Sequence, residues 1–148
     1  MNDLTKDPAE MQAKIVALEQ EMLQHPEAHL ALEPVHHFSK GIYARELLIP
    51  AGVLLTGKVH KHENLNIVNG DITVWTDEGM KRLTGHHILV SAPGTKRVGY
   101  AHADTIWTCV HATESTDLEE IERLMVCDSF DEYQQFLQGP AEMQALEV

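Results

Sequence analysis

The residues with the plainest chemical capacity in this chain are His60 and His62, set in the run GVLLTGKVHKHENLNIVNG from Gly52 to Gly70. The run reads as strand, and in an extended chain residues i and i+2 leave the same face, about 6.6 Å apart. Two imidazoles side by side are the start of a metal site or the lining of a binding site. Glu63, the nearest carboxylate, has the opposite parity and on a regular strand points away from them. His36-His37 and His86-His87 are adjacent pairs whose members leave a strand on opposite faces, so neither pair can converge on one ion. His25 and His29 fall in a polar connection rich in Glu and Pro and read as solvated. No nucleophile stands beside a base: Ser91 and Thr95 lack a GxSxG elbow, and there is no glycine-rich phosphate loop. No catalytic residue is assigned.

The elements that must hold the histidines are short strands. From Val35 to Ala112 the sequence runs in β-branched and aromatic stretches, predicted as strands near 35–38, 42–49, 53–61, 64–69, 71–76, 80–84, 87–91, 97–101 and 105–111. Turn residues punctuate them at Lys40-Gly41, Pro50-Ala51-Gly52, Asn69-Gly70-Asp71, Asp77-Glu78-Gly79, Pro93-Gly94 and His102-Ala103-Asp104. So many strands without intervening helices predict an antiparallel sandwich or closed barrel and exclude a βαβ fold. Trp75, Trp107, Phe38, Tyr43 and Tyr100 read as core or an inter-subunit face.

Helical spacing flanks the strands. Asp7-Pro8 opens an amphipathic helix over 7–24 with Met11, Ile15, Leu18 and Met22 on one stripe, which covers either its own barrel or a neighbouring subunit. Thr116 with Glu119 and Ser129 with Glu132 read as capping boxes before two short helices, the second stopped by Gly139-Pro140. The final AEMQALEV reads as frayed or as a contact segment. The expected organisation is an N-terminal helix and linker over 1–34, a barrel over 35–112 and a helical segment over 113–148.

At 148 residues the chain is long enough to bury an ordinary core without disulfides, and Cys109 and Cys127, which lack CxxC spacing, read as reduced thiols. With 23 Asp and Glu against 11 Lys and Arg, and basic residues concentrated only at Lys81-Arg82 and Lys96-Arg97, nucleic acid is disfavoured as a partner. No run is long and apolar enough for a membrane span, and MNDLTKDPAEM is not laid out as a signal peptide, so a cytoplasmic protein is expected. The leftover helix stripe and the sheet edges predict a homo-oligomer, a dimer or higher.

Pro50-Ala51-Gly52 through His60-Lys61-His62 to Gly70, followed by Ala92-Pro93-Gly94-Thr95-Lys96-Arg97, resembles the two motifs of the cupins over roughly residues 42–111. The resemblance implies a single antiparallel jelly-roll barrel, here with one N-terminal and two short C-terminal helices, whose mouth often holds zinc, iron, manganese or nickel. IPAGVLLTGKVHKHENLNIVNGDITVW and APGTKRVGYAHADTIWTCVH also resemble small cupin-like proteins of tailed bacteriophages, which implies a host-cytoplasmic or virion-associated protein. His60, His62 and Gly70 match the first motif, but Asn66 stands where the family has a carboxylate and Arg97 where it has a histidine. An amide is a poor ligand for a divalent transition ion, and a guanidinium cannot ligate at all. His60, His62, Asn66 and Arg97 are therefore expected to bind a small anion, with Arg97 supplying a bidentate fork. A metal requires His102 or His111 to join His60 and His62, giving three imidazoles. Three functions follow as expectations: a non-enzymatic binding module whose mouth holds a small anion or a weakly bound metal through His60, His62, Asn66 and Arg97, a metal-dependent cupin enzyme (oxygenase, isomerase or lyase), or a structural protein of a phage particle.

Overall fold

The computed structural model describes residues 7–76 and 79–139; the Asp77-Glu78 turn and the AEMQALEV tail lie outside the described residues. Helix α1 (Pro8–Leu23) is capped by Asp7, whose side chain accepts a hydrogen bond from the Ala9 amide at 3.0 Å. Ile15 on its stripe is buried, and Glu19 reaches Lys96 of the barrel, Oε2 to Nζ 2.8 Å. Lys96 is itself buried and also donates to the Gly57 carbonyl at 2.8 Å, so α1 is clamped onto its own barrel by a desolvated ion pair. A 3-10 turn, Pro26–Ala28, leads on to the strands.

The strands are β1 (Val35–Ser39), β2 (Ile42–Ile49), β3 (Leu54–Thr56), β4 (Val59–His60), β5 (Asn64–Thr76), β6 (Gly79–Ser91) and β7 (Val98–Ala112). All pairings are antiparallel; one sheet runs β1-β2-β7-β5-β6 with β3 also on β7. Helix α2 (Leu118–Met125), strand β8 (Val126–Cys127) and helix α3 (Phe130–Gln138) close the chain, and β8 pairs with β4 as a second, two-stranded sheet. The cap of α2 is Asp117, one residue later than the sequence predicts, accepting from the Glu119 amide at 3.1 Å. Ser129 caps α3 as expected, accepting from the Glu132 amide at 3.1 Å.

Fewer, longer strands replace the predicted set. Asn69-Gly70-Asp71 is not a turn but a bulge inside β5, where the register with β7 shifts. Gly70 sits at φ 149°, and a Cβ there would lie 2.4 Å from Thr105 Oγ1, so glycine is what lets β7 approach. The freed Asp71 amide donates to Thr105 Oγ1 at 3.1 Å, and that hydroxyl donates to the Ala103 carbonyl at 2.9 Å. β6 and β7 likewise run through the residues read as breaks. In the other direction, the predicted strand 53–61 divides into β3 and β4, because the Gly57 amide bonds the Arg97 carbonyl at 2.9 Å and the chain leaves the edge of β7 there.

Along β2 the alternation buries Tyr43, Leu47 and Ile49, with Arg45 in the same register but exposed; these four lie opposite His111, Trp107, Thr105 and Cys109 of β7, respectively. The core cluster, Leu47, Ile49, Val68, Ile72, Val74, Leu83 and Ala101, gathers at the Ile49 end. No helix of the described residues is long and apolar enough to cross a membrane.

Candidate functional site

The barrel encloses a cavity of about 580 Å³, roofed by α2, whose Leu118, Ile121 and Met125 face into it. His60, Asn66 and Arg97 line it; His62 and His102 do not.

The separation of His60 from His62 corrects the expectation drawn from strand parity. β4 ends at His60, and Lys61 and His62 form a bend. The His60 amide donates to the Thr95 carbonyl at 3.1 Å, its carbonyl accepts from Gly94 at 2.7 Å, and the Lys61 amide turns to the Met125 carbonyl at 2.7 Å. With the strand broken, i and i+2 no longer share a face. His62 is exposed, edge-on to Phe136 of α3 at 5.7 Å. His102 is exposed too, sharing a hydrogen bond with Thr73 Oγ1 at 2.7 Å and lying edge-on to Tyr100. The third imidazole near His60 is instead His111, stacked on it with ring centroids 5.5 Å apart and planes 7° from parallel. Tyr43 stacks on His111 at 6.3 Å, and His36 Nδ1 lies 2.7 Å from the Tyr43 hydroxyl, so four rings form a column down one wall.

Asn66 is in the wall but is not a free ligand group. It is 1% exposed. Its amide nitrogen donates to Asn64 Oδ1 at 2.9 Å and to Ser91 Oγ at 2.7 Å, and its carbonyl accepts from Trp107 Nε1 at 2.9 Å and Cys109 Sγ at 3.1 Å. Every donor and acceptor site of the amide is used, which makes Asn66 the tie that joins β5, β6 and β7 under the mouth. Arg97 donates to Ser91 Oγ and rests its guanidinium 5.4 Å from the Trp107 ring centroid.

Sequence reading missed Arg45. It lines the cavity from the middle of β2, across from His36 on one side and Cys109 on the other. A signal for it existed: Arg45 shares the parity of Tyr43, Leu47 and Ile49, so a cation sits on a core-facing register. Tyr43 and Trp107, read as core, are also cavity wall.

The electrostatics follow from two guanidiniums in a partly closed space. His60 is pushed down to about 4, first by burial, then by the cost of protonating it beside a second titrating imidazole, His111, and by the positive charge of Arg97 and Arg45. His111 is lowered by burial, with His62 and Arg45 adding to it. Both are neutral at pH 7. Burial raises the Cys109 thiol and the Tyr43 phenol, keeping them protonated. His60 Nδ1 is a buried nitrogen with no hydrogen-bond partner among the described residues. Among the described residues Glu122 is the one carboxylate lining the cavity, and Lys58 of the rim binds it.

These donors do not fit the metal that the fold implies. Two imidazoles stacked in parallel do not converge on one ion, the amide is saturated, and Arg45 and Arg97 repel a cation. Among the described residues no group of three or more His, Cys, Asp and Glu is placed to hold an ion. The arrangement suits an anion, with guanidiniums for charge and neutral imidazoles and a phenol for hydrogen bonds.

No family model matches the sequence, and no curated protein matches it. Solved structures do. KdgF from Halomonas sp. is 14% identical, with 62% of this chain and 88% of that chain covered at a TM-score of 0.50. An RmlC-like cupin from Shewanella frigidimarina is 16% identical, covering 62% and 84% at 0.49. A cupin-2 domain containing protein from the same organism is 10% identical, covering 70% and 99% at 0.46. At such identities the likeness concerns the backbone, and with the antiparallel topology above it fixes the architecture: in fold, this chain is a cupin-like jelly roll.

Proposed function

We propose that this protein is a non-enzymatic, cupin-like binding protein whose barrel takes up a small organic anion. The observation that carries the reading is the pair of guanidiniums, Arg45 and Arg97, facing one cavity whose only lining carboxylate among the described residues is already bound by Lys58. A chain with formal net charge −12 that gathers two arginines, Arg45 exposed and Arg97 half-buried, on one cavity has built a local positive potential against its own field. The unpartnered Nδ1 of His60 supplies a further polar contact beside them. The resemblance of the sequence to small phage cupin-like proteins supports an accessory role in a phage programme, and such a role is compatible with ligand binding.

Isothermal titration with short carboxylates and inorganic phosphate tests the reading. Wild type is expected to bind at least one of them, and Arg45→Met, which removes an exposed cation lining the cavity, to lose roughly two- to fivefold in affinity. Metal analysis of untagged protein is the counter-test. Stoichiometric metal that disappears in His60→Ala/His111→Ala overturns anion binding in favour of a metal-dependent enzyme.

A further inference from the structure

The cavity changes chemistry along its length. Strand β2 presents Tyr43 and Arg45, then, one two-residue step of about 6.6 Å later, Leu47 and after it Ile49. The facing strand makes the same change, from His111 and Cys109 to Trp107. Beyond Arg45 and Arg97 the lining is dominated by Leu47, Ile49, Leu55, Ile72, Val74 and Gly99, with the Thr56 hydroxyl beside Leu55. Trp107 marks the boundary: its indole nitrogen is tied to Asn66 and its ring carries the Arg97 guanidinium.

The volume sharpens the point. About 580 Å³ is room for roughly twenty waters at ~30 Å³ each, and a bare carboxylate or phosphate fills a small part of it. Water filling the remainder would face mostly aliphatic walls with few hydrogen-bond partners. Gly99 is packed against this wall, where a Cβ would come within 3.1 Å of Ile72 Cδ1 and 3.4 Å of Leu55 Cδ2, so a larger side chain there must push those two aside.

Resting on the anion-binding reading above, we propose that the ligand is an amphipathic monocarboxylate: a carboxylate between Arg45 and Arg97 carrying an apolar body of several carbons that extends past Trp107 to Ile72 and Val74. A carboxylate matches the two guanidiniums that line the cavity, one oxygen for each of Arg45 and Arg97.

Calorimetric titration at pH 7.5 with acetate, butyrate, hexanoate, benzoate, citrate and inorganic phosphate tests this. Affinity is expected to rise about three- to fourfold per added methylene from acetate to hexanoate, the increment of burying a CH₂. Gly99→Val, checked for an unchanged melting transition, should flatten that series and leave acetate as in wild type. Leu55→Phe, which fills the same end from another strand, is the substitute if Gly99→Val melts early. A flat series in wild type, or citrate or phosphate binding tighter than hexanoate, overturns the amphipathic ligand while leaving anion binding intact. Failure of every anion to bind overturns both.

Discussion

The two ends of the barrel interior are built from the same strands by opposite means. At the roofed end, β2, β5 and β7 offer Arg45, Asn66, Cys109 and His111, held in register by hydrogen bonds and ring stacking. At the floor the same three strands offer Leu47, Ile49, Val68, Ile72, Val74 and Ala101, held by packing. A barrel that needed only stability would continue the floor upward, since well-packed aliphatics of the same volume match or exceed buried polar groups. On the proposed binding reading, the polar end is kept against that tendency because it takes a ligand, and the floor holds it in shape.

Replacing one residue at each end separates the two. Asn66→Leu conserves volume but strips partners from Trp107 Nε1, Ser91 and Asn64, and should cost roughly 2–5 kcal/mol in urea unfolding. Ile72→Leu at the floor, also volume-conserving, should cost less than about 1.5 kcal/mol. Equal losses would mean that the polar network is not what organises the upper end.

Acid should weaken the polar end selectively. His60 titrates at about 4 in the folded chain against 6.5 when free, so between those values the unfolded state binds the proton and the folded state does not. Stability is then lost as pH falls from about 6.5 to 4, by up to about 3 kcal/mol, and levels off below. His111, shifted in the same direction, adds to the loss. Urea unfolding at pH 7.5 and 4.5 reads this slope, and in His60→Gln its His60 share should vanish. A slope unchanged by that substitution places the proton elsewhere.

The smallest effects are expected outside the cavity. His62→Ala and His102→Ala should each stay within about 0.5 kcal/mol of wild type, with unchanged ligand affinity, because both side chains are exposed and away from the lining. A tenfold loss of affinity in either would join them to the site after all.

These outcomes bear on how much of the molecule its sequence discloses. Alternation and turn residues reveal an antiparallel barrel, and Asp7 and Ser129 reveal helix starts, because those signals are local. Gly70 shows the limit: the same Asn-Gly-Asp that makes a turn in isolation makes a bulge when a neighbouring strand, here β7 at Thr105, is close enough to take up the freed amide. His60 was legible from its motif, but its pairing with His62 depended on a strand that tertiary hydrogen bonds end at His60. Arg45 and His111 become neighbours of His60 only through pairing across the sheet, which one chain read in order does not display, although the parity of Arg45 hinted at it. Asn66 lines the cavity, but the saturation of its amide could not be read in sequence, since it depends on Ser91, Trp107 and Cys109 arriving from two other strands.

The most direct measurement is a crystal structure of the protein soaked with hexanoate at pH 7.5. Density for the carboxylate between Arg45 and Arg97, with the chain running past Trp107 toward Ile72 and Val74, is the predicted result. An ion coordinated by His60 and His111, or a ligand lying outside the barrel with the cavity unchanged, would contradict it.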